Sequence, residues 1–356
     1  MKHNKILITG GAGFVGSSIA LKLKGDYPRL DIICLDNLKR RGSEMALPRL
    51  RQAGVKFRHG DIRNPEDLEL EELDLILECS AEPSVLAGIY SSPAYVINTN
   101  LSGAVNCLEL ARKHQSDILF LSTSRVYPMG ALNKLKFKES PTRFELLNKQ
   151  SLPGASKHGI SEDFSLEGAR SFYGSTKLAS ELIINEYMDS YKIRGIINRC
   201  SVITGPWQMG KVDQGVFVLW LAKHYYKKQL SYIGYGGTGK QVRDFIHIDD
   251  LYRAIKTQLN NFDDYAGEEV YNIGGGLENS VSLQELTRIC SQITGNKIKI
   301  ESTKEDRPAD VRIFYADSSK FLQKSGLKWQ KDIQTMAQDV YQWIADNEAA
   351  LEPILS

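Results

Sequence analysis

The stretch Ile6-Leu7-Ile8-Thr9-Gly10-Gly11-Ala12-Gly13-Phe14-Val15-Gly16 decides how this chain folds. Its apolar opening, Ile6 to Ile8, reads as a buried strand. The strand breaks into glycines at positions 10, 13 and 16, and Ile19, Ala20, Leu21 and Leu23 then suit the start of a helix. Strand, glycine turn and helix in that order build a phosphate cradle. Glycine lets the backbone approach a pyrophosphate, and the helix N-terminus favours its charge. The spacing is Gly-x-x-Gly-x-x-Gly, and a glycine turn without a ligand looks the same in isolation. Two facts single this one out: it follows the first strand directly, and Asp36 ends a second apolar run, Ile32 to Leu35. An acid there accepts hydrogen bonds from the ribose hydroxyls of an adenosine and repels a 2′-phosphate. The expected cofactor is therefore NAD rather than NADP, with Lys39, Arg40 and Arg41 as the nearby charges that oppose the choice.

Strand-like and helical patterns alternate outward from this start. Strands are expected near 5–9, 31–35, 55–58, 74–78, 117–121 and 194–199, with the clearest helices at 94–114 and 173–191. Such alternation implies an α/β fold, a Rossmann-type doubly wound parallel sheet whose ligand crevice lies at the carboxyl ends of the strands. Gly10, Asp36, Asp61, Ser80 and Thr123 each follow or end an apolar run, so all are expected at that edge. The second half mixes shorter strands and helices, the pattern of a smaller α/β substrate-binding domain. The expected division is a dinucleotide-binding domain over 1–200 and a mainly substrate-binding domain over 201–356, some of it returning to the first sheet. Residues 128–170, polar and without periodicity, read equally as an insertion at the mouth of the site or as a surface elaboration.

The bulk numbers bound the partners. The chain has 356 residues, 42% hydrophobic and 25% charged, with a net charge of +2. That is a globular composition with no basic block for nucleic acid and no apolar run long enough to span a membrane. The first strand begins too early for a signal peptide, so a cytoplasmic protein is expected. The cysteines at 34, 79, 107, 200 and 290 are scattered, which suits reduced thiols, and the histidines show no ligand spacing, so no metal is expected.

Tyr173-Gly-Ser-Thr-Lys177 carries the chemistry. Tyr and Lys four apart lie on one helix face, and an ammonium beside a phenol favours the phenolate, a usable general base. In Leu121-Ser122-Thr123-Ser124-Arg125-Val126-Tyr127, a hydroxyl at the end of an apolar strand is placed to hydrogen-bond a reacting sugar hydroxyl. Ser122, Thr123 and Ser124 all qualify by composition.

Taken together, the glycine turn, Asp36-Asn37-Leu38, Gly60-Asp61, Asn100 with Gly103, Ser122-Thr123 with Val126-Tyr127, and Tyr173-x-x-x-Lys177 resemble the extended short-chain dehydrogenase/reductase superfamily over essentially the whole chain. The resemblance implies tightly held NAD, a nucleotide-sugar substrate, and a homodimer or homotetramer. It implies Thr123, Tyr173 and Lys177 as catalytic residues. Around the cofactor it implies Gly10, Gly13, Phe14, Val15, Gly16, Asp36, Asn37, Asp61, Ile62, Ser80, Ala81 and Asn100, with Tyr173 and Lys177. Arg243, within Gly239-Lys-Gln-Val-Arg-Asp244, and Arg307-Pro-Ala-Asp310 match nucleotide-gripping segments, as a guanidinium fork suits phosphate oxygens. Arg125, Ser201, Gln214 and Gly215 complete the expected substrate side. The stretch Val212 to Trp220 reads either as a wall of the sugar pocket or as a core helix.

A narrower set of segments resembles the 2-epimerases of CDP-hexoses: Asp36 to Gly42, His59 to Asn64, Val212 to Gly215, and Gly239 to Asp244. Dehydratases of the superfamily carry an acid beside the catalytic Thr, where this chain has Thr123-Ser124-Arg125. Inversion at C2 of a CDP-hexose is therefore expected. A 4-epimerase of UDP-hexoses, using the same catalytic residues, is the alternative. Glu78 departs from the superfamily, which often has His at the end of the fourth strand. Pro83 and Pro128 depart at neighbouring loops.

Overall fold

The computed structural model describes residues 1–211 and 214–356. Val212 and Asp213, part of the expected substrate motif, lie outside the described residues. The strands expected in the first half form within a residue or two of their predicted bounds: β1 (Lys5–Thr9), β2 (Asp31–Asp36), β3 (Lys56–His59), β4 (Leu75–Glu78), β5 (Asp117–Thr123) and β6 (Gly195–Cys200). With β7 (Val270–Ile273) they make a seven-stranded sheet in the order β7-β6-β5-β4-β1-β2-β3. Every pair from β3 through β5 runs parallel, with Ile6 beside Ile32 and Leu75, and Leu77 beside Leu119. β1, β4 and β5 read as unbroken apolar runs because both of their faces are covered.

Three helices position the polar residues of the first sheet: α1 (Phe14–Asp26), α2 (Gly103–His114) and α3 (Phe172–Tyr191). One core packs Leu7, Ile76, Ile118, Phe120 and Ile197 of the sheet against Ala104, Cys107, Leu108 and Ala111 of α2 and Ile184 of α3. Each such aliphatic side chain contributes about 1.5–3 kcal/mol on burial. The helix expected over 94–114 is not one regular helix. An α-turn at Ala94–Ile97 and α2 are joined by a π segment, Asn98–Ser102, of the kind that often marks a functional site.

The chain forms two compact units. The first is Met1–Val126, Ser171–Arg199 and Tyr252–Tyr271; the second is Tyr127–Arg170, Cys200–Leu251 and Asn272–Ser356. The second has a mixed sheet in which Val242–His247 pairs parallel with Val202–Thr204 and Ile313–Phe314, and antiparallel with Ser280–Ser282.

Residues 128–170, expected as an insertion in the first domain, group instead with the second unit. They form two small hairpins, Phe137–Glu139 with Phe144–Leu146, and Ala155–Ser156 with Gly159–Ile160. Their backbone groups find partners far along the chain: Phe144 N–H donates to Lys240 C=O at 3.0 Å, and Ile160 N–H to Tyr315 C=O at 3.0 Å. The Arg312 guanidinium lies 4.4 Å from the Phe137 ring centre and 5.2 Å from that of Tyr235. These contacts are non-local, which is why no periodicity announces them.

Candidate active site

The first unit gathers its polar residues at the carboxyl ends of the parallel strands. Gly10 leaves β1 with φ +63, and a Cβ there would lie 3.0 Å from the Cys79 carbonyl oxygen. At Gly16 a Cβ would lie 2.3 Å from the Gly10 carbonyl oxygen. The turn is therefore closed to side chains at both positions. Phe14 and Val15 open α1, whose cap residue Gly13 supplies no side-chain hydrogen bond to the first N–H groups. An anion finds free donors and the positive end of the helix dipole there.

Asp36 ends β2 and is nearly buried. Its carboxylate accepts from Ala12 N–H at 3.1 Å, Gly13 N–H at 3.2 Å and Leu38 N–H at 2.8 Å. Burial pushes this carboxyl up, and those N–H groups with Leu38 foremost draw it back. Asp61 follows β3 and accepts both arms of Arg63, at 3.0 and 2.6 Å, and the Asn37 amide at 2.8 Å. The Arg63 bonds hold its carboxyl well below the usual range. Ile62 is buried against Gly103, where a Cβ would meet it at 2.4 Å. These features fit NAD: a glycine cradle at a helix N-terminus, with an acid at the end of the second strand.

Beyond β4 the chain runs through Ser80 and Ala81 to a bracket built by Asn100. The Asn100 side chain accepts from Glu82 N–H at 2.8 Å, and donates to Glu82 C=O at 3.1 Å and to Thr176 Oγ1 at 3.1 Å. The π segment thus turns Asn100 toward the chain, where it ties the loop after β4 to α3.

Helix α3 carries the Tyr173–Lys177 pair. Ser171 caps it, its hydroxyl accepting from Gly174 N–H at 3.2 Å. Tyr173 lies in the first turn, at the positive end of the helix dipole, where a phenolate is favoured. One turn on, Lys177 is almost fully buried. Its ammonium lies 3.7 Å above the Phe120 ring centre and 3.4 Å from Glu78 Oε2. One turn further, Glu181 accepts from Arg199 of β6 at 2.7 Å and from the Ser122 hydroxyl. Both Arg199 and Glu181 are buried.

This geometry separates the three candidate hydroxyls. Ser122 is committed to Glu181 behind the strand. Thr123, at the tip of β5, accepts from Arg125 N–H at 3.2 Å. Ser124 and Arg125 lie in the half-buried turn beyond it.

The second unit holds the remaining expected residues. Arg243 donates through Nη2 to Asp310 Oδ1 at 2.5 Å and to Val311 C=O at 2.6 Å, and through Nη1 to its neighbour Val242 C=O at 2.7 Å. Of the residues expected to grip the substrate, Arg243 and Asp310 are paired with each other, and the Arg307 C=O accepts from Asp310 N–H at 3.3 Å. Ser201 is buried toward Asp244: a Cβ on Gly274 would meet Ser201 Oγ at 2.3 Å and Asp244 Oδ2 at 2.5 Å. Gln214 pairs with Lys211 through both backbone groups. Gly215, at φ +75, caps the helix Val216–Tyr225. Phe217 to Ala222 of that helix are buried, so its described part is a core helix.

Sequence reading noted Glu78 only as a departure and gave it no role, and it missed the Arg199–Glu181–Ser122 network. Arg199 was the available signal, a charge inside the apolar run Gly195–Cys200, and a buried charge needs a partner.

The model of the NAD dependent epimerase/dehydratase family matches residues 6–274. The chain belongs to that family, as the motifs led one to expect, and the family is NAD-dependent. Among its relatives, CDP-paratose 2-epimerase of Salmonella typhi is 30% identical over 354 residues, covering 95% of this chain and 98% of that one. UDP-glucuronate 4-epimerase of Thermodesulfobacterium geofontis is 27% identical over 340 residues, covering 92% and 91%. A solved dTDP-glucose 4,6-dehydratase double mutant from Streptomyces venezuelae, with NAD bound, superposes with a TM-score of 0.78 at 26% identity, covering 98% and 99%. Among the described residues no helix is long and apolar enough to cross a membrane.

Proposed function

We propose that this enzyme is an NAD-dependent nucleotide-sugar epimerase that inverts C2 of a CDP-hexose, interconverting sugars of the CDP-paratose and CDP-tyvelose type. The observation that separates this reading from a dehydratase is the turn after β5. It presents Thr123-Ser124-Arg125, with an arginine where elimination chemistry needs an acid. The relative at 30% identity over nearly the full length supports the same choice.

Bound NAD⁺ would supply the reversible hydride acceptor for the sugar carbon. The chain's own residues do the rest. Tyr173 accepts the proton of the C2 hydroxyl, holds it while the sugar is a 2-keto intermediate, and gives it back after the sugar has turned over. Lys177 keeps the phenol acidic through its charge, and Thr123 holds the reacting hydroxyl. Gly10, Gly13 and Gly16 admit the cofactor pyrophosphate, and Asp36 takes the adenosine ribose. Arg243, steadied by Asp310, grips the sugar diphosphate together with Arg307.

Proton NMR of the purified protein incubated with CDP-paratose, CDP-glucose and UDP-galactose, without added cofactor, tests the assignment. Inversion at C2 of a CDP-sugar is expected. Inversion only at C4 of the UDP-sugar overturns it in favour of a 4-epimerase. Tyr173→Phe is expected to lower turnover by roughly two to four orders of magnitude, the usual worth of a general base, while leaving NAD bound. Near-normal turnover in that variant removes Tyr173 as the base.

A further inference from the structure

Glu78 closes β4 with a carboxyl group that the proposed mechanism leaves unused. We infer that Glu78 is a positioning residue for the base: its carboxylate fixes the place of the Lys177 ammonium and partly offsets its charge, and so sets the pH at which Tyr173 ionises. This rests on the reading of Tyr173 and Lys177 as the catalytic pair.

Glu78 is 1% exposed and Lys177 is 2% exposed, so water screens neither charge. Their 3.4 Å separation is the contact that compensates an ammonium carried into a dry core. Glu78 is itself held by the Ser80 N–H and the Thr9 hydroxyl, so its carboxylate has a fixed orientation. The Phe120 ring faces the ammonium at 3.7 Å. Together these contacts fix where the positive charge sits.

The groups facing this pair are Thr9 of β1, Ser80 beyond β4, Phe120 of β5 and Cys107 of α2, while Tyr173 lies one turn before Lys177 on the same face of α3. Burial, then the Glu78 charge, holds the Cys107 thiol well above its ordinary range, so it stays neutral. Burial also raises the Glu78 carboxyl, and the Lys177 charge draws it back. Glu78 and Lys177 are thus a buried pair of opposite charges one helical turn from Tyr173.

The sign follows from electrostatics. Removing an anion makes each neighbouring group lose its proton more readily. In Glu78→Gln, both limbs of the pH profile of turnover are expected to move to lower pH, by about one unit. Glu78→Asp keeps the charge and is expected to keep the wild-type limbs, with only the rate reduced. A purely structural role predicts lower turnover with unmoved limbs in both variants.

A second readout needs no substrate. Ultraviolet difference titration of the phenolate, taken as each protein minus its Tyr173→Phe counterpart, isolates Tyr173 in the protein as purified. The Glu78→Gln background is expected to ionise Tyr173 about one pH unit lower than the wild-type background. An unmoved titration overturns the inference, whatever sugar nucleotide the enzyme turns over. Glu78→Met removes the same charge with an apolar side chain of similar volume that a dry site tolerates. It supplies the measurement where Glu78→Gln does not fold.

Discussion

Ser122 and Thr123 are adjacent hydroxyls in a buried strand, and the pleat sends them to different work. Ser122 donates to Glu181 behind the sheet, while Thr123 stands at the strand tip. Ser122→Ala leaves a buried carboxylate one donor short and is expected to destabilise the fold by about 1–3 kcal/mol, with turnover per folded molecule largely kept. Thr123→Val, close in volume but without the hydroxyl that accepts from Arg125 N–H, is expected to cost about 0.5–1.5 kcal/mol of stability, the worth of one hydrogen bond, and to lower turnover by at least tenfold. Urea unfolding and a steady-state assay on the same preparations separate the two. Sequence alone left these hydroxyls equivalent, because choosing among them requires knowing which face of β5 meets α3. Glu78 was visible only as a departure from a familiar pattern. Its partner lies 99 residues away, and nothing local connects them.

Helix α3 acts as a ruler along the sheet. Tyr173, Lys177 and Glu181 recur every fourth residue. The last two are tied to β4, β5 and β6, which fixes the height of the first. The Tyr–Lys part of this stripe is readable from spacing. The glycine turn and the strand ends are readable from apolar runs, since a strand covered on both faces announces itself. In the second unit the elements are shorter and pair with distant partners, and there the sequence is less informative. Asp244, on Val242–His247, is such a case. Burial raises its carboxyl to about 6, against the Ser201 hydroxyl and the N–H groups of Gly276 and Ala316. In the unfolded chain it titrates near 3.9. Between those values the folded state keeps a proton that the unfolded state has lost, so Asp244 costs stability as pH rises, and the cost is complete above about pH 6. The stability of the wild type relative to Asp244→Asn is expected to fall by about 2 kcal/mol between pH 4 and pH 7. Urea midpoints at several pH values read this out, and a flat difference contradicts it.

At the scale of the molecule, each unit is assembled from three separate stretches of chain. A cut at residue 200, where the sequence suggested a domain boundary, removes Tyr252–Tyr271 and β7 from the first unit and leaves β6 as an uncovered edge. A fragment of residues 1–200 is therefore expected to aggregate or to be cleaved rapidly in limited proteolysis. A fragment extended to residue 273 is expected to keep the first sheet protected. The boundary is hard to read because the returning stretch is an ordinary amphipathic helix followed by a short strand, with nothing local to say which sheet it joins.

The interleaving also sets a clock. During synthesis at roughly 5–20 residues per second, the strand that covers β6 emerges several seconds after β6 itself, because most of the intervening chain, Cys200–Leu251, belongs to the other unit. For that interval the nascent protein carries an open sheet edge made of Gly195–Cys200, the kind of template on which neighbouring chains pair. Its yield in a cell is therefore expected to respond to translation speed and chaperone supply as well as to the stability of the finished enzyme.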